Sequence, residues 1–522
     1  MNSQTDVTPT RSRGTRWPIW IGLIIAAGVL VVFRLHAFPA PLETDECNYA
    51  YIGGRLLAGD RLYVDVWDHQ PPGVFVLFAG VIALFGDGEA VFRWLATGFS
   101  LASMGLVFQL VSRRVGDAAG VFAAIAFAIV SSDPGTAGDG CNREIYMNTL
   151  TLGALAVLTG GPMATNRRLL IAGMLLGVAS TLKTVVAPIW VALLIWSLYN
   201  RRLPDRSARY AIRIVLYLAA GPALFWMGIG GYFAATGRWE AFVDAVFRFN
   251  VGYAGADTRG HLRIGEFFDP IFPVFASALP LWLATIAVFV VLAKSVRKTP
   301  AGIECAWVCY LLACFFAVVM PGRFWPHYYY LMIAPMVVGC GLLWIGAPLA
   351  RPAAWVVGLG WLVALAAFQY RYYLGVDVAQ FAAGRYDYRD QWARAQGRRV
   401  AELTEPNDTV FIWGKDAGIY YYANRRCASR YTMIGALERG AVGFESRREV
   451  LLNELENSRP RMMLFVEPGF EFLMPLLDTY YAPAGIDGDD RDPTRPILLV
   501  WALRDRPVRD VPWEWIAPRR VK

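Results

Sequence analysis

Charge is scarce in this sequence. Of its 522 residues only 18% are Asp, Glu, Lys or Arg, while 56% are hydrophobic. An average soluble domain holds about 25% charged and roughly 45–50% apolar residues. Histidine stops at four residues and cysteine at seven. The shortage of charge excludes a purely soluble enzyme, because the apolar residues gather in runs that approach or exceed the ~18 residues of a transmembrane candidate. The mean hydropathy of +0.38 excludes a disordered chain. The few scattered cysteines exclude a disulfide scaffold. Cys305, Cys309, Cys314 and Cys340 lie in apolar runs and read as packing residues. Cys305 and Cys309 share helical spacing but lack the His or acidic partners of a metal site.

The charge that is present is unevenly placed. The net charge is +8, yet the basic residues form short runs between apolar segments instead of one basic face. That excludes nucleic acid as a partner and is the positive-inside pattern of a membrane protein. Arg11, Arg13 and Arg16 precede the apolar run Trp17–Phe33 with no small-residue cleavage site at once behind it, so the run reads as an uncleaved first span with a cytoplasmic N-terminus. Arg and Lys then orient further spans at about 90–111, 118–131, 145–161, two short spans within 169–199 that turn near Lys183, 211–235, 271–293, 301–320, 328–349 and 353–370. The run 72–85 is too short to span and reads as a re-entrant or interfacial helix. Residues 237–270 read as a long outer loop.

The expected fold is an α-helical polytopic membrane protein of about eleven spans, residues 1–371, with a long first outer loop at 36–89. Residues 372–522 turn polar and read as a small extracytoplasmic α/β domain. Within it Gln391–Leu403 and Arg447–Asn457 read as helices, and Thr409–Trp413, Arg461–Val466 and Ile497–Leu503 as short buried strands.

In this topology His36, His69, His261 and His327 all fall on the outer side. So do Glu43, Asp45, Glu46, Asp60, Asp65 and Asp68 of the first loop. Acids and histidines concentrated beside a bilayer suggest a site on that face. The adjacent carboxylates Asp45 and Glu46 repel, so one proton is held more tightly, and such a carboxylate serves as a general base toward a hydroxyl. The plain alternative is a solvated acidic loop.

These residues carry a resemblance. Asp45-Glu46 behind the first span, followed by Asp68-His69-Gln70-Pro71-Pro72, is similar to the first outer loop of glycosyltransferase family 39. That family has the GT-C fold, includes the protein O-mannosyltransferases, and lies close to the lipid A aminoarabinose transferases. The likeness continues through Asn142-Arg143-Glu144-Ile145-Tyr146, Leu182-Lys183-Thr184 and Gly322-Arg323-Phe324-Trp325-Pro326-His327-Tyr328. It implies inverting sugar transfer from a polyprenyl-phosphate donor to a lipid, protein or glycan acceptor, at the outer face of a bacterial cytoplasmic (inner) membrane.

The resemblance makes Asp45 the catalytic base with Glu46 in support, and offers Arg143, Lys183, Arg323 and His327 for the leaving phosphate. Tyr49, Asp68, His69 and Glu144 would serve the acceptor or support the loop. Each has a plain alternative: Lys183 as a snorkelling helix end, Arg323 and His327 as interfacial anchors, Glu144 as the ion-pair partner of Arg143. The leaving group is a single phosphate, so no metal is required, although a divalent metal stays open.

One residue departs from the pattern. Gln70 stands where aminoarabinose transferases usually carry Lys, and a neutral amide cannot balance phosphate, so another cation compensates or the acceptor differs. Cys47 and Cys141, both beside proposed site residues, read either as a disulfide or as two small buried thiols. Two other functions compete: a transporter or flippase, which would more often show repeated halves and midplane charges, and a glycan polymerase or ligase without the early acid pair.

Overall fold

The computed structural model describes residues 17–161, 165–199, 208–255, 274–298, 302–344, 352–373, 389–487 and 498–506. His261 and the N-terminal arginines lie outside the described residues. The chain begins with α1 (Trp17–Leu35), α2 (Thr44–Leu57), α3 (Gly73–Phe85), α4 (Glu89–Arg114), α5 (Asp117–Val130) and α6 (Arg143–Leu158). It continues with α7 (Asn166–Leu182), α8 (Ala187–Tyr199) and α9 (Ala208–Ala235). Further long helices cover Leu279–Lys298, Ile303–Val319, Tyr330–Leu342 and Pro352–Tyr373.

A helix therefore stands at each expected span position. Four of them, Trp17–Leu35, Glu89–Arg114, Ala208–Ala235 and Pro352–Tyr370, are long and apolar enough to cross a membrane on their own. The others are shorter, and α4, α5, α6, Leu279–Lys298 and Ile303–Val319 pack around Tyr330–Leu342, every residue of which is buried. The break expected near Lys183 is present: Lys183 has an extended backbone, and a 3-10 turn, Thr184–Val186, leads into α8.

Three loop expectations are corrected. The first outer loop holds α2 in addition to α3, the helix expected at 72–85. The loop expected at 237–270 starts with the helix Trp239–Val243, a π-helical turn Asp244–Arg248 and the helix Phe249–Gly255. Arg143 and Glu144 belong to the first turn of α6 and not to a loop.

Residues beyond 389 build a five-stranded sheet with helices Arg389–Leu403, Gly418–Ala423, Phe444–Ser458 and Met474–Tyr480. The strands are β1 (Thr409–Trp413), β2 (Arg426–Cys427), β3 (Met462–Phe465), β4 (Tyr481–Asp487) and β5 (Leu498–Leu503), in the order β2-β1-β3-β5-β4. β1 pairs parallel with β2 and β3, and β5 pairs antiparallel with β3 and β4. β3 is buried along its whole length and β1 at all but its first residue, as continuous apolar central strands require.

This sheet unit is bolted to the loops between α1 and α4. Leu42 N–H donates to Tyr422 Oη at 2.8 Å, Trp67 N–H to the Arg430 carbonyl at 2.8 Å, and Cys427 N–H to Tyr51 Oη at 2.8 Å. Arg394 pairs with Glu89 at 2.6 Å. At the other end of the helices Arg114 pairs with the buried Glu304 at 2.6 Å, and Arg113 donates to the Ala156 carbonyl at 2.9 Å. These contacts gather the far ends of α4, α6 and Ile303–Val319.

α7 and α9 cross with their backbones in contact. Gly173 and Gly177 form a small-xxx-small pair against Gly221, and a Cβ on Gly221 would stand 2.1 Å from the Gly173 carbonyl carbon. Lipid offers no hydrophobic drive between helices, so such close packing holds the pair together. Gly221→Ala is expected to lower the thermal midpoint of the purified protein, by an overpacking cost of ~1–3 kcal/mol. Gly228→Ala, on the same helix with nothing within 4 Å of its Cβ, should leave the midpoint unchanged.

Candidate active site

α2 is set by its N-terminal carboxylates. Glu43 is the N-cap and forms a reciprocal capping box with Glu46, whose Oε2 accepts from Glu43 N–H at 3.0 Å. Glu46 is fully buried and its other oxygen accepts from Cys141 N–H at 2.5 Å. It therefore ties the start of α2 to the segment that leads into α6. Glu43 also accepts from Asn142 Nδ2 at 3.2 Å, and burial pushes its carboxyl well above the usual range, aided by Asp45 and Glu46. Asp45, between these two, sits in the first turn, where the helix dipole favours a carboxylate.

The other acids of the first loop are engaged. Asp60 pairs with Arg55 at 2.7 Å and Arg426 at 3.1 Å. Asp65 pairs with Arg61 at 2.8 Å, and that hydrogen bond pulls its carboxyl down to about 2. Asp68 accepts from Asn48 Nδ2 at 2.7 Å and Gln70 N–H at 2.8 Å. Asn48 in turn accepts from Thr432 Oγ1 at 2.7 Å, which carries this network into the sheet unit. Among the described residues the one hydrogen bond given for Asp45 comes from Tyr49 Oη, at 3.3 Å, one helical turn on. Asp45 is half-buried, and its second oxygen accepts no hydrogen bond among the described residues.

A buried chain of charge leads away from it. Arg143 donates from Nη1 to Tyr49 Oη. Arg143 Nε lies 3.6 Å from Glu144 Oε1, and the same oxygen accepts from Lys183 Nζ at 2.8 Å. Lys183 Nζ sits 3.3 Å above the Tyr328 ring, a cation–π contact. The ring of the neighbouring His327 is buried, and no partner is given for either nitrogen among the described residues. Burial pushes His327 down to about 4, with Glu144 opposing, so it is a neutral ring at pH 7.

His69 faces the cations from the other side. Burial, then Arg143, Lys183 and Arg323, pull it down to about 3, so its 3.6 Å contact with Asp68 is not an ion pair. Its Nε2 is 2.7 Å from Gln70 Nε2, and its ring packs on Phe249 and Tyr253. Arg323 lies over the Tyr253 ring at 4.1 Å and donates to the Tyr253 carbonyl at 3.3 Å.

Beside this site a groove of about 690 Å³ opens along α9. It is lined by Trp226, Met227, Gly230, Trp239, Phe242 and Phe247 among others, with almost no polar surface. Its Trp226 donates from Nε1 to Ser180 Oγ at 2.9 Å, one turn of α7 before Lys183.

Residues 69–226 match the family of dolichyl-phosphate-mannose-protein mannosyltransferases. Two solved structures of ArnT from Cupriavidus metallidurans, one in the apo state and one bound to undecaprenyl phosphate, share the fold. They are 18% and 17% identical, each with a TM-score of 0.62, and each comparison covers 93% of this chain and 98% of the other. Over residues 69–226 the chain thus resembles that family, and over most of its length it shares the fold of ArnT. The archaeal oligosaccharyltransferase AglB from Archaeoglobus fulgidus, solved with an inhibitory peptide and a dolichol-phosphate, is also similar, at 16% identity and TM-score 0.54 over 96% of this chain and 75% of that one. At such identities the likeness establishes the fold. No curated protein matches the sequence significantly.

Site candidates scattered over the sequence thus converge. Asp45, Tyr49, Arg143, Glu144, Lys183 and His327 form one buried polar cluster, and His69 and Arg323 border it. Glu46 and Asp68 are engaged in hydrogen bonds that tie the first loop to its neighbours. Cys47 and Cys141 are free buried thiols, which settles the disulfide alternative against a bridge. Asn48, Asn250, Tyr253 and Thr432 escaped the sequence reading. Asn250, which donates to the His69 carbonyl at 2.6 Å, and Tyr253 lie in the segment expected to be loop, and Asn48 is one turn behind the acid pair.

Asp68 generates a test. Burial first, opposed by the Gln70 and Asn48 hydrogen bonds, pushes its carboxyl from the ordinary 3.8 to about 7. The folded protein then holds a proton there that the unfolded chain has lost, so stability falls as the pH rises from about 4 to about 7. Asp68→Asn cannot titrate, and its thermal midpoint should gain on wild type across that window and match its slope below it. Parallel midpoints at every pH would show that Asp68 does not carry the proton.

Proposed function

We propose that this chain transfers a sugar from a polyprenyl-phosphate donor to an acceptor hydroxyl, inverting the anomeric centre, with Asp45 as general base. The carrying observation is the position of Asp45: a half-buried carboxylate with a single hydrogen bond among the described residues, beside the buried Arg143 and Lys183. Asp45 takes the acceptor proton while the acceptor oxygen forms its bond to the anomeric carbon and the carbon–phosphate-oxygen bond breaks. The lipid phosphate leaves with the bond electrons. Arg143 and Lys183 meet its charge as fixed donors in a site shielded from water, where such groups act most strongly.

His327 is assigned the role of a neutral hydrogen-bond partner to the phosphate, and Arg323 a place at the rim. Glu144 keeps the two cations close without a substrate, and Glu46 and Asp68 hold the first loop in shape. The apolar groove along α9 gives the donor's tail a path into the bilayer, because its inner end touches α7 one turn from Lys183. We place the site on the extracytoplasmic face of the cytoplasmic membrane, with residues 1–371 as the membrane unit and 372–522 as the soluble unit that braces the loops. The similarity to ArnT bound to undecaprenyl phosphate and to AglB with dolichol-phosphate supports a lipid-phosphate donor. Gln70 is neutral and bonded within the loop, which favours an acceptor without a phosphate at that point.

Purified protein incubated with a panel of polyprenyl-phosphate sugars and acceptors, read by product mass spectrometry, tests the reading. Wild type should consume at least one donor, and Asp45→Asn should be slower by about 10²–10⁴-fold, the usual worth of a general base. Asp45→Asn with full activity would overturn the assignment of the base. Consumption of no donor by wild type would overturn the transfer itself.

A further inference from the structure

We propose that Tyr49 is a positioning residue that couples the donor site at Arg143 to the proton-accepting strength of Asp45. The inference rests on Asp45 being the base. Tyr49 Oη touches both groups: it meets Arg143 Nη1 on one side and Asp45 Oδ2, at 3.3 Å, on the other. The direction of these bonds is fixed by chemistry. A guanidinium has only donors, so Tyr49 Oη accepts from Arg143. A phenol has one proton, and it points at the carboxylate, which accepts. The relay Arg143→Tyr49→Asp45 therefore has no alternative orientation while Asp45 is ionised.

Consecutive hydrogen bonds polarise one another. The full positive charge of Arg143 strengthens the donation of Tyr49, and a carboxylate that receives a hydrogen bond is a poorer acceptor of a further proton. The second oxygen of Asp45 stays open for an acceptor hydroxyl. When a phosphate binds Arg143 it shares the guanidinium charge, the pull on Tyr49 relaxes, and Asp45 becomes the stronger base. The base is thus held back in the empty site and released once the leaving group is in place.

Tyr49 is well placed for this work. It is 1% exposed, and its ring meets Phe75 and Phe78 of α3 edge-on, at 6.1 and 5.6 Å between centroids. The hydroxyl is held in place by that packing. The titratable and charged groups that share electrostatic reach of Asp45 are Glu43 on the N-cap of α2, Asp68 from the loop, Arg143 from α6, Lys183 behind α7, and His327 and Tyr328. Tyr49→Phe leaves all of them in place and removes only the relay.

The test is the pH–rate profile of full-length Tyr49→Phe with whichever polyprenyl-phosphate sugar wild type consumes. The acidic limb of kcat/KM for the donor reports the empty site, and that of kcat reports the loaded one. Loss of this hydrogen bond should move the kcat/KM limb up by as much as about one pH unit. The kcat limb should move much less. Limbs that both stay, or that move together, would overturn the coupling, because a merely structural tyrosine shifts neither and a fixed partner shifts both. Should Tyr49→Phe fail to fold, 3-fluorotyrosine at position 49 keeps the shape and donates more strongly, and it should move the kcat/KM limb down. Inactive Asp45→Asn together with unmoved limbs defeats the coupling alone, whereas active Asp45→Asn defeats the base assignment beneath it.

Discussion

Glu144 is a carboxylate with 1% exposure, and the need to hold that charge shapes everything around it. A buried ion left without its partner costs about 3–5 kcal/mol. Two cations meet the need here, Arg143 from the same turn of α6 and Lys183 from the break behind α7. The break is what allows it: with extended backbone at residue 183, the ammonium turns out of the α7 axis and onto Glu144 and the Tyr328 ring. Arg143 is then free to reach across to Tyr49, and through it to Asp45. The carboxylate of Glu144 thus collects both cations close to Tyr49 and Asp45.

The sheet unit takes part in this arrangement at a distance. Thr432 bonds Asn48, Asn48 bonds Asp68, and Asp68 caps the turn that carries His69. Glu46 joins the same loop to the start of α6 through Cys141 N–H. Residues far apart in the chain therefore fix one loop from three sides. That explains why two acids of the loop, Glu46 and Asp68, end in structural bonds while Asp45 accepts only from Tyr49 among the described residues.

Much of the fold was legible because apolar runs punctuated by arginine are a strong signal. Each expected span carries a helix, including the pair divided at Lys183. The central strands β1, β3 and β5 were legible for the same reason, as compact apolar runs. What was missed is weakly apolar or short. α2 is too polar to stand out, and the helices within 239–255 follow no long apolar run. β4 carries Pro483 and Gly485, which read against a strand; it lies at the sheet edge and has a register irregularity between those two residues, where proline is tolerated. In the site, the residue types were legible from motifs, but their pairing was not. The Arg143–Tyr49 bond spans 94 positions and the Asn48–Thr432 bond 384, and nothing local in a sequence encodes such a distance.

The central claim is that the Arg143–Lys183 cluster recognises a lipid phosphate. Equilibrium binding of undecaprenyl phosphate, compared with undecaprenol on the same protein, isolates that recognition from the tail. Wild type should prefer the phosphate by tenfold or more, as expected for charge-assisted hydrogen bonds worth about 1.5–3 kcal/mol. Lys183→Met should lose most of the preference while still binding the alcohol as before. Equal affinity of wild type for the two lipids would contradict the account.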